Sequence, residues 1–154
     1  MLNKIKNRKQ EGFTIIEVLI VLAIAGLIML IVFLAVPALQ RNSRNTEVKN
    51  EANRMATGIN EFISNANGKN PSASASTTAN SDAETIYKGA TATRITKLTI
   101  QTGDVTNASD TPSGIAIAVT NGQCNGNIAK SGGTARQAAL QYGLEGGQSA
   151  CIQI

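Results

Sequence analysis

The chain contains no histidine among its 154 residues, although it has 14 lysines and arginines and 10 aspartates and glutamates. Histidine is the commonest general base and a frequent metal ligand, so its absence argues against most acid-base and metal-dependent catalysis. A nucleotide loop is also missing, because the pairs Gly132-Gly133 and Gly146-Gly147 lack the lysine and the strand-loop-helix context that phosphate binding requires. We therefore expect no enzymatic activity and no bound cofactor.

Metal ligands are scarce as well. The only cysteines are Cys124 and Cys151, and two lone cysteines carry no zinc signature. Asp104 and Asp110 flank a polar loop that could hold calcium, but so few acidic ligands make a weak site. We predict no metal site and keep calcium binding at these two aspartates as the alternative.

Positive charge is concentrated at the N-terminus. The formal net charge is +4, of which the first twelve residues supply +3 through Lys4, Lys6, Arg8 and Lys9 against Glu11. The rest of the chain is nearly neutral, so no strong electrostatic argument for nucleic-acid binding remains. A basic segment in front of an apolar run instead predicts a cytoplasmic N-terminus.

Every residue from Val18 to Val36 is apolar or glycine. A helix over this run would be about 28 Å long at 1.5 Å per residue, which is close to the thickness of one bilayer core. Glu17 stands at the beginning of this run, where an ionisable side chain is costly and is therefore usually paired or functional.

The segment Gly12-Phe13-Thr14-Ile15-Ile16-Glu17 between the basic leader and the apolar run resembles the signal of type IV prepilins. This resemblance implies that a membrane-embedded peptidase cuts after Gly12 and that Phe13 becomes N-methylated. It also implies that Glu17 pairs with the N-terminal amine of a neighbouring subunit during assembly. When the ammonium and the carboxylate pair, they largely offset each other's desolvation cost in an apolar layer. One such ion pair among apolar helices can fix their axial register.

Three other interpretations of the N-terminus remain open. A secretory signal peptide could be cleaved at the small-residue site Val36-Pro37-Ala38, although its apolar region would be longer than usual and would begin with a glutamate. A plain signal anchor would make Glu17 incidental. A core helix of a soluble domain is disfavoured, because a helix that is apolar on every face needs a large protein around it.

We predict an α+β, pilin-like fold, in which a long N-terminal helix packs on a small antiparallel β-sheet head. An apolar stripe at spacings of 4, 3, 4 and 3 should face the sheet, and charged residues should cover the other faces of the helix. The stripe consists of Val48, Ala52, Met55, Ile59 and Phe62, and the charged residues are Arg41, Arg44, Glu47, Lys49, Glu51, Arg54 and Glu61. The predicted segments are a cleaved leader (1–12), a transmembrane and polymerisation half-helix (13–39), an amphipathic half-helix (40–63), an exposed polar loop (64–94) and a β-sheet head (95–154).

Gly26 and Pro37 interrupt the apolar half of the predicted helix. Glycine allows close approach of helices in a membrane, and the resemblance favours a packing or local-melting role for Gly26. Proline removes one helical hydrogen bond, so we expect a kink or unwinding at Pro37. Many type IV pilins carry their proline earlier, at the position of Leu34, so this chain departs from the family pattern there.

About four strands are expected in the head. Ile95 to Gln101 and Ile115 to Thr120 contain alternating or β-branched apolar residues, and Leu140 to Leu144 and Ala150 to Ile154 alternate around a Glu145-Gly-Gly147 turn. A short helix at 135–141 is the alternative for the third of these strands. Cys124 and Cys151 in an exported head most simply form one disulfide, whereas free thiols would be expected if the head stayed cytoplasmic. The resemblance implies that such a disulfide encloses an exposed variable loop, here Asn125 to Ala150.

The resemblance implies that the chain is a structural subunit of a type IV pilus, which polymerises with copies of itself. Its implied partners are the membrane before assembly, a prepilin peptidase and methyltransferase, and an assembly platform with its ATPase. Motility, adhesion and DNA uptake are the functions that such filaments serve. A pseudopilin of a type II secretion or DNA-uptake system and a membrane-anchored binding module that never polymerises are the alternatives.

Overall fold

The computed structural model describes residues 12–72 and 82–154. The chain divides into two compact units, residues 1–40 and 41–154. Most of the predicted leader and residues 73–81 of the predicted polar loop lie outside the described residues. The described helices are α1 (Ile15–Asn65) and α2 (Asp82–Ala90), and the strands are β1 (Lys97–Gln101), β2 (Ile115–Thr120), β3 (Gly122–Asn125), β4 (Ile128–Ser131), β5 (Ala138–Gly143) and β6 (Ser149–Gln153).

Helix α1 supplies one side of the core of the second unit. Its buried apolar residues pack with Leu98, Ala118 and Leu140 of the sheet. The predicted stripe is confirmed for Val48, Ala52, Met55 and Ile59, which are all buried. Phe62 lies only at the margin of this core, and Ile63 is buried at the end of the stripe instead. An α+β fold with a long N-terminal helix on a small sheet is therefore confirmed.

The main sheet has the strand order β1-β2-β5-β6. Strands β2, β5 and β6 pair antiparallel, but β1 pairs parallel to β2, so the sheet is mixed rather than purely antiparallel. The parallel pair forms because residues 102–114 carry the chain back along the sheet before β2 begins. This return includes a short 3-10 turn, Ala108–Asp110.

The predicted C-terminal hairpin is present: β5 and β6 pair antiparallel and are joined by a turn that contains Gly146 and Gly147. Both glycines have positive φ angles, of 92° and 74°, which favour residues without a side chain. A helix at 135–141 is therefore wrong, because β5 begins at Ala138. Tertiary pairing on both sides outweighs the helix propensity of its alanines.

Two short strands were not predicted. Strands β3 and β4 pair in a separate hairpin that lies over the other face of the sheet. They bury a second, smaller core made of Val105, Val119, Ala129 and Ala139. As a result β5 is buried at all six positions, so the disulfide-enclosed segment 125–150 is not exposed throughout, although residues 125–127, 134–136 and 146–148 are exposed. The two strands have only four residues each and little alternation, so the sequence gives no clear signal for them.

Helix α2 corrects the prediction of an exposed polar loop over 64–94. This helix buries Ala83, Ile86 and Ala90 against the head core. Gly58 of α1 lies beside this helix, and a Cβ there would meet the Ile86 side chain at an ordinary contact distance of 3.4 Å. The segment is polar overall, so its composition does not indicate this nine-residue helix, in which only three small or apolar residues are buried.

Gly143 marks a very close backbone approach in the head. A Cβ at this position would lie 2.1 Å from the carbonyl oxygen of Thr111 and 2.2 Å from that of Pro112. The return segment before β2 therefore lies directly against β5, which only glycine allows.

Candidate functional site

The N-terminal motif places three polar or terminal-site residues, Phe13, Thr14 and Glu17, around the beginning of α1. Phe13 is 89% exposed and precedes the helix. The Glu17 carboxylate accepts hydrogen bonds from the Thr14 backbone N–H at 2.9 Å and from the Thr14 hydroxyl at 2.7 Å. The Glu17 backbone N–H in turn donates to the Thr14 hydroxyl oxygen at 3.3 Å. This reciprocal pattern is a capping box, with Thr14 at the N-cap and Glu17 at the third helical position.

The capping box gives Glu17 a structural role within its own chain, which is to stabilise the start of α1. The carboxylate satisfies donors at the helix start and lies at the positive end of the helix dipole. This contact was not predicted, although Thr14-Ile-Ile-Glu17 before an apolar run is the sequence signature of a capping box.

A continuous apolar surface follows the motif. Large apolar side chains on every face of α1 between Val18 and Leu39 are exposed in this single chain. Among the residues that the structure describes, α1 is the one helix that is long and apolar enough to cross a membrane. In water such a surface would be strongly unfavourable, so it requires lipid or other protein chains.

Gly26 and Pro37 both lie inside α1. A Cβ at Gly26 would meet nothing within 4 Å, so this position is open for the approach of another helix. Pro37 lies within a helix that continues on both sides of it, so α1 does not end there in this chain. The packing or melting role of either residue in a filament stays a prediction.

Four of the seven charged side chains of α1 in the second unit bond to the head, which was not predicted for any of them. Glu51 was expected on an outer face but is only 2% exposed. Its carboxylate accepts hydrogen bonds from three consecutive backbone N–H groups, those of Thr93, Arg94 and Ile95, and from the Thr93 hydroxyl. Burial is the largest single influence on the pKa of Glu51 and raises it, but these donors together outweigh burial and hold the pKa below its ordinary value of 4.5.

Three further contacts join α1 to the loops of the head. Arg44 pairs with Glu145, and its hydrogen bond lowers the pKa of that carboxyl. Glu47 pairs with Arg94 at 2.6 Å. Arg54 donates to the carbonyl oxygen of Ala90, which ends α2. Together with Glu51, these contacts connect α1 to the segment between α2 and β1 and to the turn between β5 and β6.

The cysteines are joined as predicted, with Cys124 of β3 and Cys151 of β6 at a Cα–Cα distance of 5.8 Å. The bond ties the outer hairpin to the edge of the main sheet. The two aspartates that were considered for calcium each hold a loop by hydrogen bonds. Asp104 accepts from the backbone and hydroxyl of Ser131, and Asp110 accepts from Thr106 and Asn107.

Comparison with known families agrees with this geometry. Residues 7–33 match the family model described as the prokaryotic N-terminal methylation motif, which is the class III signal of type IV pilins and pseudopilins. The matched range contains the Gly12 site, the capping box and most of the apolar run. No curated protein and no solved structure matches the chain.

This signal carries two consequences. It implies processing of the chain by a prepilin peptidase and participation in pilin assembly. Together with the apolar N-terminal helix, it indicates a precursor anchored in a membrane. The chain therefore has the features of a type IV pilin or pseudopilin.

Proposed function

We propose that this chain is the structural subunit of a type IV pilus and has no catalytic role. The observation that carries the proposal is the combination of the methylation motif with an apolar helix surface that is exposed on all sides in the single chain. In the precursor this surface faces lipid. In the filament the same surface would be buried against other copies of α1, so assembly replaces one apolar environment with another.

Cleavage after Gly12 would create an ammonium group at Phe13, one turn before Glu17. The Glu17 carboxylate already lies at the helix start, where it accepts bonds from Thr14. We propose that the Phe13 amine of a neighbouring subunit pairs with this carboxylate during docking. Because an unpaired charge in an apolar layer is strongly unfavourable, the pair favours one axial register over the others.

The proposed pathway uses the partners that the signal implies. The prepilin peptidase cuts after Gly12 and methylates Phe13, and the membrane then holds the mature subunit as a reservoir. A platform protein and its ATPase extract the subunit into a growing extracellular fibre. The head, closed by its disulfide, forms the outer part of that fibre.

Replacing Glu17 with glutamine tests the mechanism. Glutamine retains a side-chain oxygen that can accept the Thr14 N–H and is itself a favoured residue at this capping-box position, so α1 should still begin at Ile15. Processing at Gly12 should continue, as read by immunoblotting and by mass spectrometry of a methylated Phe13 terminus. Fibres seen by electron microscopy should be lost, because the carboxylate no longer pairs with the amine.

Glu61→Gln provides a matched control, since it makes the same chemical change at an exposed position on the same helix. We expect this variant to form normal fibres. Normal fibres from processed Glu17→Gln protein would refute the pairing mechanism. A mature chain that begins at Leu39 would refute the proposed function, and short or absent fibres with the wild-type chain would favour a pseudopilin.

A further inference from the structure

Three asparagines of the second unit are followed directly by glycine, namely Asn67, Asn121 and Asn125. An asparagine in this position can modify its own side chain, because the backbone nitrogen of the next residue can attack the side-chain amide carbon. A five-membered succinimide ring closes, and the amide nitrogen leaves as ammonia together with the proton of the attacking N–H. Glycine favours this step, since it has no Cβ beside the attacking nitrogen and the widest freedom of φ and ψ.

The second step consumes one water molecule, which opens the ring at either of its two carbonyl groups. When the newly formed bond breaks, the original main chain returns and the residue is an aspartate. When the original peptide bond breaks, the main chain passes through the former side chain and the residue is an isoaspartate. Both products carry a carboxylate in place of a neutral amide, and neither requires an oxidant or a cofactor.

In a folded chain this reaction depends on local geometry. The attacking N–H must be free of a hydrogen bond, the side-chain amide must be free to turn toward it, and water must reach the ring. A reacting pair that is held out of position reacts far more slowly, and only local opening of the structure then allows the attack. The three asparagines differ in these conditions.

Asn67 lies just after the end of α1, and its glycine is held. The N–H of Gly68 donates to the carbonyl oxygen of Ile63 at 2.8 Å, which is a capping bond at the end of the helix. Gly68 also lies against the Arg136 side chain, since a Cβ at this glycine would be 2.8 Å from Nε of Arg136. The attacking nitrogen is therefore occupied.

Asn121 is held through both its main chain and its side chain. Its carbonyl oxygen accepts hydrogen bonds from the N–H groups of Gly132 at 3.1 Å and Gly133 at 2.7 Å. Its side-chain oxygen accepts from the Asn70 amide at 2.8 Å. The following residue, Gly122, is buried. Closing a ring at this position would break these contacts.

Asn125 meets all three conditions. It ends β3, and the two-residue turn Gly126-Asn127 joins it to β4. Asn125 and both turn residues are exposed. Within residues 12–72 and 82–154, neither the Asn125 side chain nor the Gly126 N–H has a hydrogen-bond partner. On the far side of the turn, the Asn127 carbonyl oxygen accepts from the Ser149 hydroxyl at 3.2 Å, so the turn stays attached to the head while Asn125 and Gly126 remain open.

We infer that Asn125 is a site of spontaneous deamidation in the folded head, and that the fold protects Asn67 and Asn121 from the same reaction. The chain is its own substrate, and water is the co-reactant. The inference goes beyond the proposed function and does not depend on it, since the same head could belong to a pilus subunit or to a pseudopilin.

The modification changes the surface of the outer hairpin. Each conversion adds one negative charge at the tip of β3 and β4. Isoaspartate also adds a CH₂ group to the main chain at Asn125, which pairs with Ile128 in the last position of the hairpin. The remainder of the hairpin should persist, because Cys124 is bonded to Cys151 and Ala129 is buried in the smaller core. Aged subunits should therefore stay folded and differ in charge.

The test follows the three asparagines in one sample. The folded mature protein, with its disulfide intact, is held in mild detergent and mildly alkaline ¹⁸O-labelled water, and its peptides are then mapped by mass spectrometry. Asn125 should convert at least about tenfold faster than Asn67 or Asn121, with one solvent oxygen incorporated. An isoaspartyl methyltransferase should label part of the product. Equal conversion at the three sites, or faster conversion at Asn67 or Asn121, would overturn the inference.

The unfolded chain is the control for the role of the fold. In guanidinium with the disulfide reduced, the three asparagines should convert at similar rates, because each is followed by glycine and none is held. If Asn125 kept the same advantage in the unfolded chain, the neighbouring sequence would be its cause and the inference would be wrong.

Asn125→Gln tests the assignment to this residue. Glutamine would have to close a six-membered ring, which forms much more slowly, and the exposed position should accept the extra CH₂ without loss of head stability in urea. The hairpin peptide of this variant should incorporate no label, while Asn67 and Asn121 should react as in wild type. Undiminished incorporation in that peptide would place the reaction at Asn127 and refute the assignment.

Discussion

Replacing Glu51 with glutamine should weaken the attachment of α1 to the head. The carboxylate is 2% exposed and spans three consecutive N–H donors, with one oxygen near Thr93 and the other near Ile95. A glutamine amide keeps only one acceptor oxygen. Whichever way the amide turns, its NH₂ group meets a backbone N–H that has lost its acceptor.

The size of the effect follows from the bonds that change. Hydrogen bonds to a charged group contribute about 1.5–3 kcal/mol each, against about 1 kcal/mol for neutral ones, and a buried N–H without an acceptor costs about 1–3 kcal/mol. Because the remaining bonds adjust partly, we expect Glu51→Gln to lower the free energy of unfolding at neutral pH by about 2–4 kcal/mol.

The effect should depend on pH in a defined direction. The pKa of Glu51 in the folded chain lies below the ordinary value of 4.5, so its stabilising contribution is complete above about that pH. The contribution is lost as pH falls through the folded pKa. The difference in the free energy of unfolding between wild type and Glu51→Gln should therefore shrink in acid. Hydrogen bonds also lower the pKa of three other carboxyls, but these are present in both proteins and cancel in the comparison; they are Asp104, Asp110 and Glu145.

Urea unfolding of the mature protein in mild detergent measures this difference. The chain has no tryptophan and two tyrosines, of which Tyr142 is buried in the head core, so tyrosine fluorescence reports on the head. For an m value of about 1.5 kcal/mol/M, the midpoint should fall by about 1–3 M. Glu61→Gln should leave the midpoint unchanged. Equal midpoints for Glu51→Gln and wild type, or a difference that grows in acid, would refute the reasoning.

Two further changes test other parts of the head by the same unfolding assay. Cys151→Ser should lower the free energy of unfolding by about 3.5 kcal/mol, because the disulfide closes a loop with a sequence separation of 27. A reducing agent should lower the free energy of unfolding of the wild type by a similar amount and should leave that of the variant unchanged. Gly143→Ala should destabilise the head by about 3 kcal/mol or more, because its Cβ would collide with backbone carbonyls. Gly103→Ala should be tolerated, because a Cβ there would meet nothing within 4 Å. Equal stability of these two variants would contradict the close approach at Gly143.

Much of the N-terminal half could be predicted because its information is local. An apolar run and a 4, 3, 4, 3 stripe are visible in neighbouring residues of one helix, whose hydrogen bonds join residues only four apart. The C-terminal hairpin was predictable for the same reason, since a turn with two glycines joins two strands that are neighbours in the chain. The motif itself also indicated the protein class, because the signal over residues 7–33 is defined by the order and spacing of neighbouring residues.

Other features depend on residues that are far apart in the sequence. Glu51 reads as a solvated charge on a helix, and only the arrival of residues 93–95 makes it a buried acceptor. Strand β1 pairs parallel to β2 because of the path of the return segment, which alternation cannot reveal. The outer hairpin of β3 and β4 depends on burial against β5, so the two strands carry no signal of their own.

The sequence by itself therefore determined the membrane helix, its processing signal and the faces of α1 that pack on the sheet, because these follow from periodicity and position along one element. Only the tertiary structure decided which charges of α1 are bound to the head. The physical reason is that satisfying a buried charge or backbone donor requires a partner, and the partner's position is set by the folding of the whole head.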